Sequence, residues 1–234
     1  MSDAPVRMPA IDVWTVMVPT ASPDAGDRGC GLELLDDDER ARAGEFTSAG
    51  ARRTYVASHA FVRRVLGRHL DLDPAALRYD RNCEHCGHPS HGRPRLIGGG
   101  VCFNLSHSGL HVLVAVAEGP VGADIESAAR RPVSDGVIRR CCSDTERAWL
   151  ATLPARERPG AFLGLWTKKE AVAKAVGLGL VLSFSTLEVS GPDPIVAGDE
   201  GPLLAAHDVE VTGAVAAVAA SPGTVVRHHP DCRP

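Results

Sequence analysis

The stretch that most constrains this chain is residues 160–176, its strongest helical signal, closed by Gly177 or Gly179. Within it, Trp166-Thr-Lys-Lys-Glu-Ala-Val-Ala-Lys174 sets Glu170 and Lys174 four residues apart, on one face of a helix. Upstream, Val121-Gly-Ala-Asp-Ile-Glu126 reads as a strand after the turn Glu118-Gly-Pro120, with Asp124 and Glu126 pointing to the same side. Three carboxylates from two elements make an oxygen-rich pocket suited to a hard cation such as Mg2+. A lysine beside them suits phosphate oxygens as a compact positive charge. The combination points to chemistry on a diphosphate.

The remaining pattern is mixed α and β. Residues 10–19 read as a strand, and residues 32–45, acidic then Arg/Ala-rich, as a surface helix. Residues 51–70 carry Tyr55, Val56, Phe61, Val62, Val65 and Leu66 at helical spacing. Their polar side holds Arg52, Arg53, Arg63, Arg64 and Arg68, expected as a solvated basic face. Residues 80–100 are loop-like, and two strands follow at 101–106 and 112–117. A short helix is expected at 136–142, and Ser143-Asp-Thr-Glu146 is a capping box that opens a helix to about Thr152. Later strand candidates include Asp208–Ala219, and Pro230–Pro234 reads as a frayed tail. Each half holds strand, helix and further strands without a tandem repeat. The expected fold class is α+β, as two similar α/β lobes over 1–118 and 119–234 with a ligand site at their interface.

Composition removes several function classes. Of the 234 residues, 44% are hydrophobic, enough for a core, and the net charge of −4 offers no bulk attraction to nucleic acid or anionic membrane. Aromatic residues are only 4%, too few for base-stacking platforms. No apolar run is long enough to span a membrane, and Met1–Arg7 do not form a secretory leader. Seven cysteines, an odd number, then read as reduced thiols of a cytoplasmic protein.

Each motif has a plain structural alternative. Ser106 and His107 in Phe103-Asn-Leu-Ser-His-Ser108 point to opposite faces of a strand, so they are not a catalytic dyad, yet they supply a hydroxyl and an imidazole for phosphate oxygens. Thr167-Lys-Lys-Glu170 is itself a capping-box pattern, and Glu170/Lys174 an ordinary helix ion pair. Glu146 has a capping role in its own box. Cys83-Glu-His-Cys86-Gly-His88-Pro-Ser-His91 offers four zinc ligands at Cys83, Cys86, His88 and His91. The crowding of those ligands, and the overlap with His91-Gly-Arg-Pro94, weigh against zinc.

In their order and spacing, Asn104-Leu-Ser-His-Ser108, Val121–Glu126 and Trp166-x-x-Lys-Glu-Ala171 with Lys174, Gly177 and Gly179 resemble the 4'-phosphopantetheinyl transferases of the surfactin-synthetase-activating type. The likeness reaches upstream to the Arg52–Leu66 helix and to His91-Gly-Arg-Pro94, and covers roughly residues 50–182. It implies a pseudo-twofold, monomeric enzyme that binds coenzyme A between its lobes. Such an enzyme transfers phosphopantetheine to a serine of an acyl, peptidyl or aryl carrier domain and releases adenosine 3',5'-bisphosphate. An acidic carrier helix is the partner the resemblance implies, with no role for nucleic acid or membrane. Carried over by motif, Asp124, Glu126 and Glu170 would hold Mg2+, and Lys174 would balance phosphate charge. Ser106, His107, Arg93 and Arg53 (or Arg52) would bind coenzyme A phosphates or nucleotide. Glu170 is also the candidate base for the carrier serine, as ligand, base or both. Two other classes stand beside this reading: another metal-dependent transferase on a nucleotide diphosphate, and a zinc-loop module that binds protein or nucleic acid.

Overall fold

A computed structural model describes residues 8–19, 29–83, 87–89, 92–128, 133–178, 181–191, 195–196 and 201–230. In chain order these give β1 (Ala10–Met17), α1 (Asp37–Gly44), α2 (Ala49–Leu70), β2 (Tyr79–Asp80), β3 (Arg95–Leu96), β4 (Cys102–Ser108), β5 (His111–Ala117), β6 (Gly122–Ser127), α3 (Asp135–Cys141), α4 (Asp144–Thr152), α5 (Arg158–Val176), β7 (Ile195–Val196), β8 (Leu203–Val209), β9 (Ala214–Ala220) and β10 (Val225–Pro230). The fold is mixed α+β. One four-stranded sheet has the order β10-β1-β5-β4 and the other β6-β9-β8-β7, with β2 and β3 as a separate pair.

The layers follow from strand alternation. β5 is buried along its whole length because both of its faces are packed. Val112, Val114 and Val116 meet Phe61, Val62, Val65 and Leu66 of α2. Leu113 and Ala115 face Ile125, Ala216 and Val218 of the second sheet. The far side of that sheet, through Leu204, Ala217 and Ala219, packs on Leu165, Val172 and Ala175 of α5. The order is therefore helix, sheet, sheet, helix.

β10 pairs in parallel with β1, so the end of the described chain returns to the first sheet and the two sequence halves share strands. No described helix is long and apolar enough to cross a membrane.

Local signals explain most element ends. Ser48 caps α2 through Ala51 N–H, and the Ser143/Glu146 capping box opens α4 as expected. Gly177, at φ 77°, takes the left-handed conformation that closes α5; Gly179 lies outside the described residues.

Several expectations change. The helix expected at 32–45 divides into a 3-10 turn at Leu32–Leu34 and α1, because Asp36 forms a capping box with Glu39. The strand expected over Asp208–Ala219 is a hairpin, with Gly213 (φ 77°) in the turn between β8 and β9. The loop at 80–100 contains the β2–β3 pair. Arg63 is not on a solvated face: it is fully buried, bonded to Glu39 and Asp36.

Candidate active site

The site forms where the sheets meet at β4 and β6. The two strands are stitched by side chains. Asn104 Oδ1 accepts from Ala123 N–H (3.0 Å), Ser106 Oγ from Ile125 N–H (3.3 Å) and Ser108 Oγ from Ser127 N–H (3.1 Å). These are alternate residues of β4, so they share one side and cover the β6 edge. The serines have a second task. Ser106 donates to Asp124 Oδ1 (2.9 Å), and Ser108 donates to Glu126 Oε2 (2.8 Å). The Asn-Leu-Ser-His-Ser motif thus aims both acids of β6.

α5 supplies the opposite wall, and Gly122 sets how near it comes. A Cβ at Gly122 would sit 1.8 Å from the Ala171 carbonyl oxygen and 2.5 Å from Ala175 N. Only glycine permits this approach. It brings Lys174 Nζ to 2.6 Å from Asp124 Oδ1 and 3.2 Å from Ser106 Oγ. The alternative roles for Glu170 and Lys174 therefore change. Glu170 lies inside α5 rather than in a cap, and the close carboxylate partner of Lys174 is Asp124.

Lys169 fixes the rotation of α5. It is fully buried, donates to the carbonyls of Phe184 (2.7 Å) and Leu187 (2.5 Å), and pairs with Glu146 Oε2 at 2.6 Å. Glu146 accepts in turn from Ser143 N–H (2.9 Å) and Val189 N–H (3.0 Å). With Lys169 pointing into the core, Glu170 turns toward the site. Sequence reasoning gave Glu146 a cap only and Lys169 no role. The available signal was a lysine at a core-facing helix position.

Burial pushes the Glu170 carboxyl above its ordinary range; Lys174 opposes this, while Asp124 and Glu126 raise it further. The three acids are thus close enough to feel one another. Among the described residues they do not converge into a closed metal-ligand set, and Lys174 supplies the positive charge against Asp124. The donor set still fits a hard cation. Asp124 Oδ2 is buried with no hydrogen-bond partner, and a carboxylate oxygen left this way calls for a cation or donor.

His107 lies on the α2-facing side of β4, opposite Ser106, and is exposed. Desolvation at the cleft wall, then the charges of His59 and Lys174, push its pKa down against the pull of Glu126. Arg93 is committed to the backbone. It donates to the carbonyls of Lys174 (2.9 Å), Ala175 (3.2 Å), Phe103 (3.2 Å) and Val121 (2.8 Å), tying together the end of α5, β4 and the approach to β6. Arg53 donates to Cys30 Sγ at 3.4 Å, and Arg52 to the Ala43 carbonyl at 3.2 Å. Ser106, Asp124 and Lys174 are thus in direct contact, Glu126 and Glu170 act on this cluster through charge, His107 lies on the other side of β4, and Arg93 and Arg53 make other contacts. Of the zinc candidates, Cys86 and His91 lie outside the described residues.

Residues 120–203 match the family model of the 4'-phosphopantetheinyl transferase superfamily. This segment holds Gly122, Asp124, Glu126, Lys169, Glu170 and Lys174. The 4'-phosphopantetheinyl transferase HetI of Nostoc sp. is 34% identical over 153 residues, 62% of this chain and 61% of that protein. The 4'-phosphopantetheinyl transferase Sfp of Bacillus subtilis is 27% identical over 159 residues, 68% and 67% of the two chains. Over these segments the chain is similar to 4'-phosphopantetheinyl transferases. A phosphopantetheinyl transferase of Thraustochytrium sp. is 27% identical over a longer stretch of 200 residues, 78% of this chain and 68% of that protein. The match to HetI leaves more than a third of that relative uncovered.

Proposed function

We propose that this chain is a Mg2+-dependent 4'-phosphopantetheinyl transferase that moves the phosphopantetheine arm of coenzyme A to a serine of a carrier domain. The observation that carries this reading is the Asp124–Lys174 contact, with the unpartnered Asp124 Oδ2 and Glu170 beside it, inside the family-matched segment. Asp124, Glu126 and Glu170 are the residues to hold Mg2+, which when bound offsets charge on the diphosphate. Lys174 binds a diphosphate oxygen, so its contact with Asp124 loosens as ligand enters. Ser106 keeps Asp124 in place, and His107 binds phosphate at the α2 side. Glu170 takes the proton from the carrier serine, a task its raised pKa suits. The serine oxygen bonds to the phosphorus that bears the pantetheine arm. The bond from that phosphorus to the bridging oxygen breaks, and adenosine 3',5'-bisphosphate leaves with the electron pair.

A cavity of about 490 Å3 beside Arg93, walled by Pro94, Leu96, Val101, Phe103 and Val176, suits the nucleoside end. Arg93 contributes there by shaping the wall. We read residues 1–118 and 119–234 as pseudo-twofold lobes, with β10 returned to the first. The enzyme acts as a cytoplasmic monomer on carrier domains that present an acidic helix. The test is incubation with coenzyme A and several apo-carrier domains, with Mg2+ or with chelator, read by intact mass. A phosphopantetheine adduct formed with Mg2+ alone is expected. No adduct on any carrier, with coenzyme A left intact, would count against the assignment.

A further inference from the structure

The two acids of β6 are held unequally. Asp124 is 4% exposed, and one of its oxygens is fixed by both Ser106 Oγ and Lys174 Nζ. Glu126 is half-buried, one residue from the end of β6. Among the described residues it takes one side-chain hydrogen bond, from Ser108 Oγ at 2.8 Å. A glutamate has one more rotatable bond than an aspartate, so more rotamer freedom is lost when it is ordered. The direction of the Glu126 carboxylate therefore depends on Ser108.

Ser108 is the last residue of β4, and the contacts that hold it come from residues outside the motifs. Ser127 grips it twice. The Ser127 N–H donates to Ser108 Oγ at 3.1 Å, which leaves the Ser108 hydroxyl proton for Glu126. Ser127 Oγ in turn donates to the Ser108 carbonyl at 3.0 Å. Gly109 leaves the room for this. It takes the first central position of the two-residue β4–β5 turn, at φ 59°. A Cβ there would lie 2.8 Å from Ser127 Oγ but 4.0 Å from Ser127 Cβ. The clash is with the hydroxyl that grips the strand end, and not with backbone.

We propose that Ser127 and Gly109 are positioning residues for Glu126: acting through Ser108, they fix its carboxylate and so set the cation affinity of the site. The proposal rests on the reading of Asp124, Glu126 and Glu170 as cation ligands. An acid already held in its binding orientation loses less freedom when the cation arrives. Losing a partner that orients a metal-binding side chain weakens metal affinity by about 10–100-fold. Ser127 directly follows Glu126, so the strand that presents the acid also supplies its lock.

The test titrates Mg2+ by calorimetry into the enzyme–coenzyme A complex without carrier, with melts in parallel. Ser108→Ala should weaken Mg2+ about tenfold. Ser127→Ala keeps its N–H contact and should weaken Mg2+ about threefold. Ser127→Thr keeps the hydroxyl and should bind as wild type does. The Mg2+ concentration for half-maximal transfer to a carrier should rise by the same factors. Gly109→Ala also strains the turn, so it is read in a double-mutant cycle. It should weaken Mg2+ about threefold in wild type and leave it unchanged in Ser127→Ala, where no hydroxyl remains to displace. A folded Ser127→Ala protein with wild-type Mg2+ affinity overturns the proposal, as does a Gly109→Ala loss of equal size in both backgrounds. If wild type binds coenzyme A but shows no saturable Mg2+ binding, the cation reading fails first, and the proposal falls with it.

Discussion

Gly122→Ala is the sharpest perturbation of the site, because its effect can be worked from distances. The added Cβ would lie 1.8 Å from the Ala171 carbonyl oxygen, whereas even close carbon–oxygen contacts sit at about 3.3–3.6 Å. β6 and α5 must separate by about 1.5 Å to relieve the overlap. If Lys174 travels with α5, its 2.6 Å contact with Asp124 opens to about 4 Å, beyond hydrogen-bond range. Overpacking of this kind costs about 1–3 kcal/mol, and a misplacement near 1 Å about 10²-fold in rate. For a chain of this size the melting temperature should fall by roughly 2–12 °C. The control is Gly164→Ala in the same helix. A Cβ there meets no atom within 4 Å, so the change should stabilise by about 0.5–1 kcal/mol and leave transfer unchanged. Thermal melts and carrier transfer on both variants decide. A Gly122→Ala protein with wild-type melting and turnover would refute the claim that β6–α5 contact builds the site.

Three further outcomes are expected. Lys169→Met should leave Glu146 buried without its cation and cost about 3–5 kcal/mol in urea unfolding, and adding Glu146→Gln should recover part of that loss. Burial raises the Glu39 carboxyl, but the His59 hydrogen bond and the charges of His59 and Arg63 outweigh it and hold the pKa at about 2, against 4.5 unperturbed. A depressed carboxylate stabilises fully above pH 4.5 and loses that contribution as pH falls toward 2. Unfolding at pH 6 and pH 3 should therefore show about 2 kcal/mol of acid-sensitive stability at most, a component that Glu39→Gln lacks. Arg93→Lys should lower the melting temperature, since an ammonium cannot reproduce the guanidinium fork across four carbonyls; unchanged melting with weakened coenzyme A binding would return Arg93 to direct ligand contact.

Much of this was legible in the sequence. The helix at 160–176, its Gly177 stop, the Ser143/Glu146 box and the Val121–Glu126 strand have local causes and were read from spacing and caps. The expectation that Asp124, Glu126 and Glu170 share one site came from the motifs as a set; among the described residues they do not close into a metal-ligand set. What local pattern could not provide depends on tertiary approach. Gly122 reads as an ordinary strand glycine until α5 is seen against it. Ser106 reads as a phosphate donor, but its hydroxyl, with that of Ser108, also holds β6 and its acids. Arg63 and Arg93 read as surface or ligand cations because a guanidinium can be buried only where several carbonyls or carboxylates converge from distant segments. Hydrophobic periodicity over Asp208–Ala219 missed the hairpin, where a glycine in the left-handed conformation reverses the chain.

The most direct test of the central claim is a Mg2+ titration of carrier transfer by wild type and Asp124→Asn, followed by intact mass, with melts in parallel. Asparagine keeps the size of the side chain but removes the charge that faces Lys174 and the cation. Wild type should form the phosphopantetheine adduct with saturable Mg2+ dependence. Asp124→Asn, folded, should form almost none at the same concentrations. A folded Asp124→Asn protein with an unchanged titration would contradict the site as assigned.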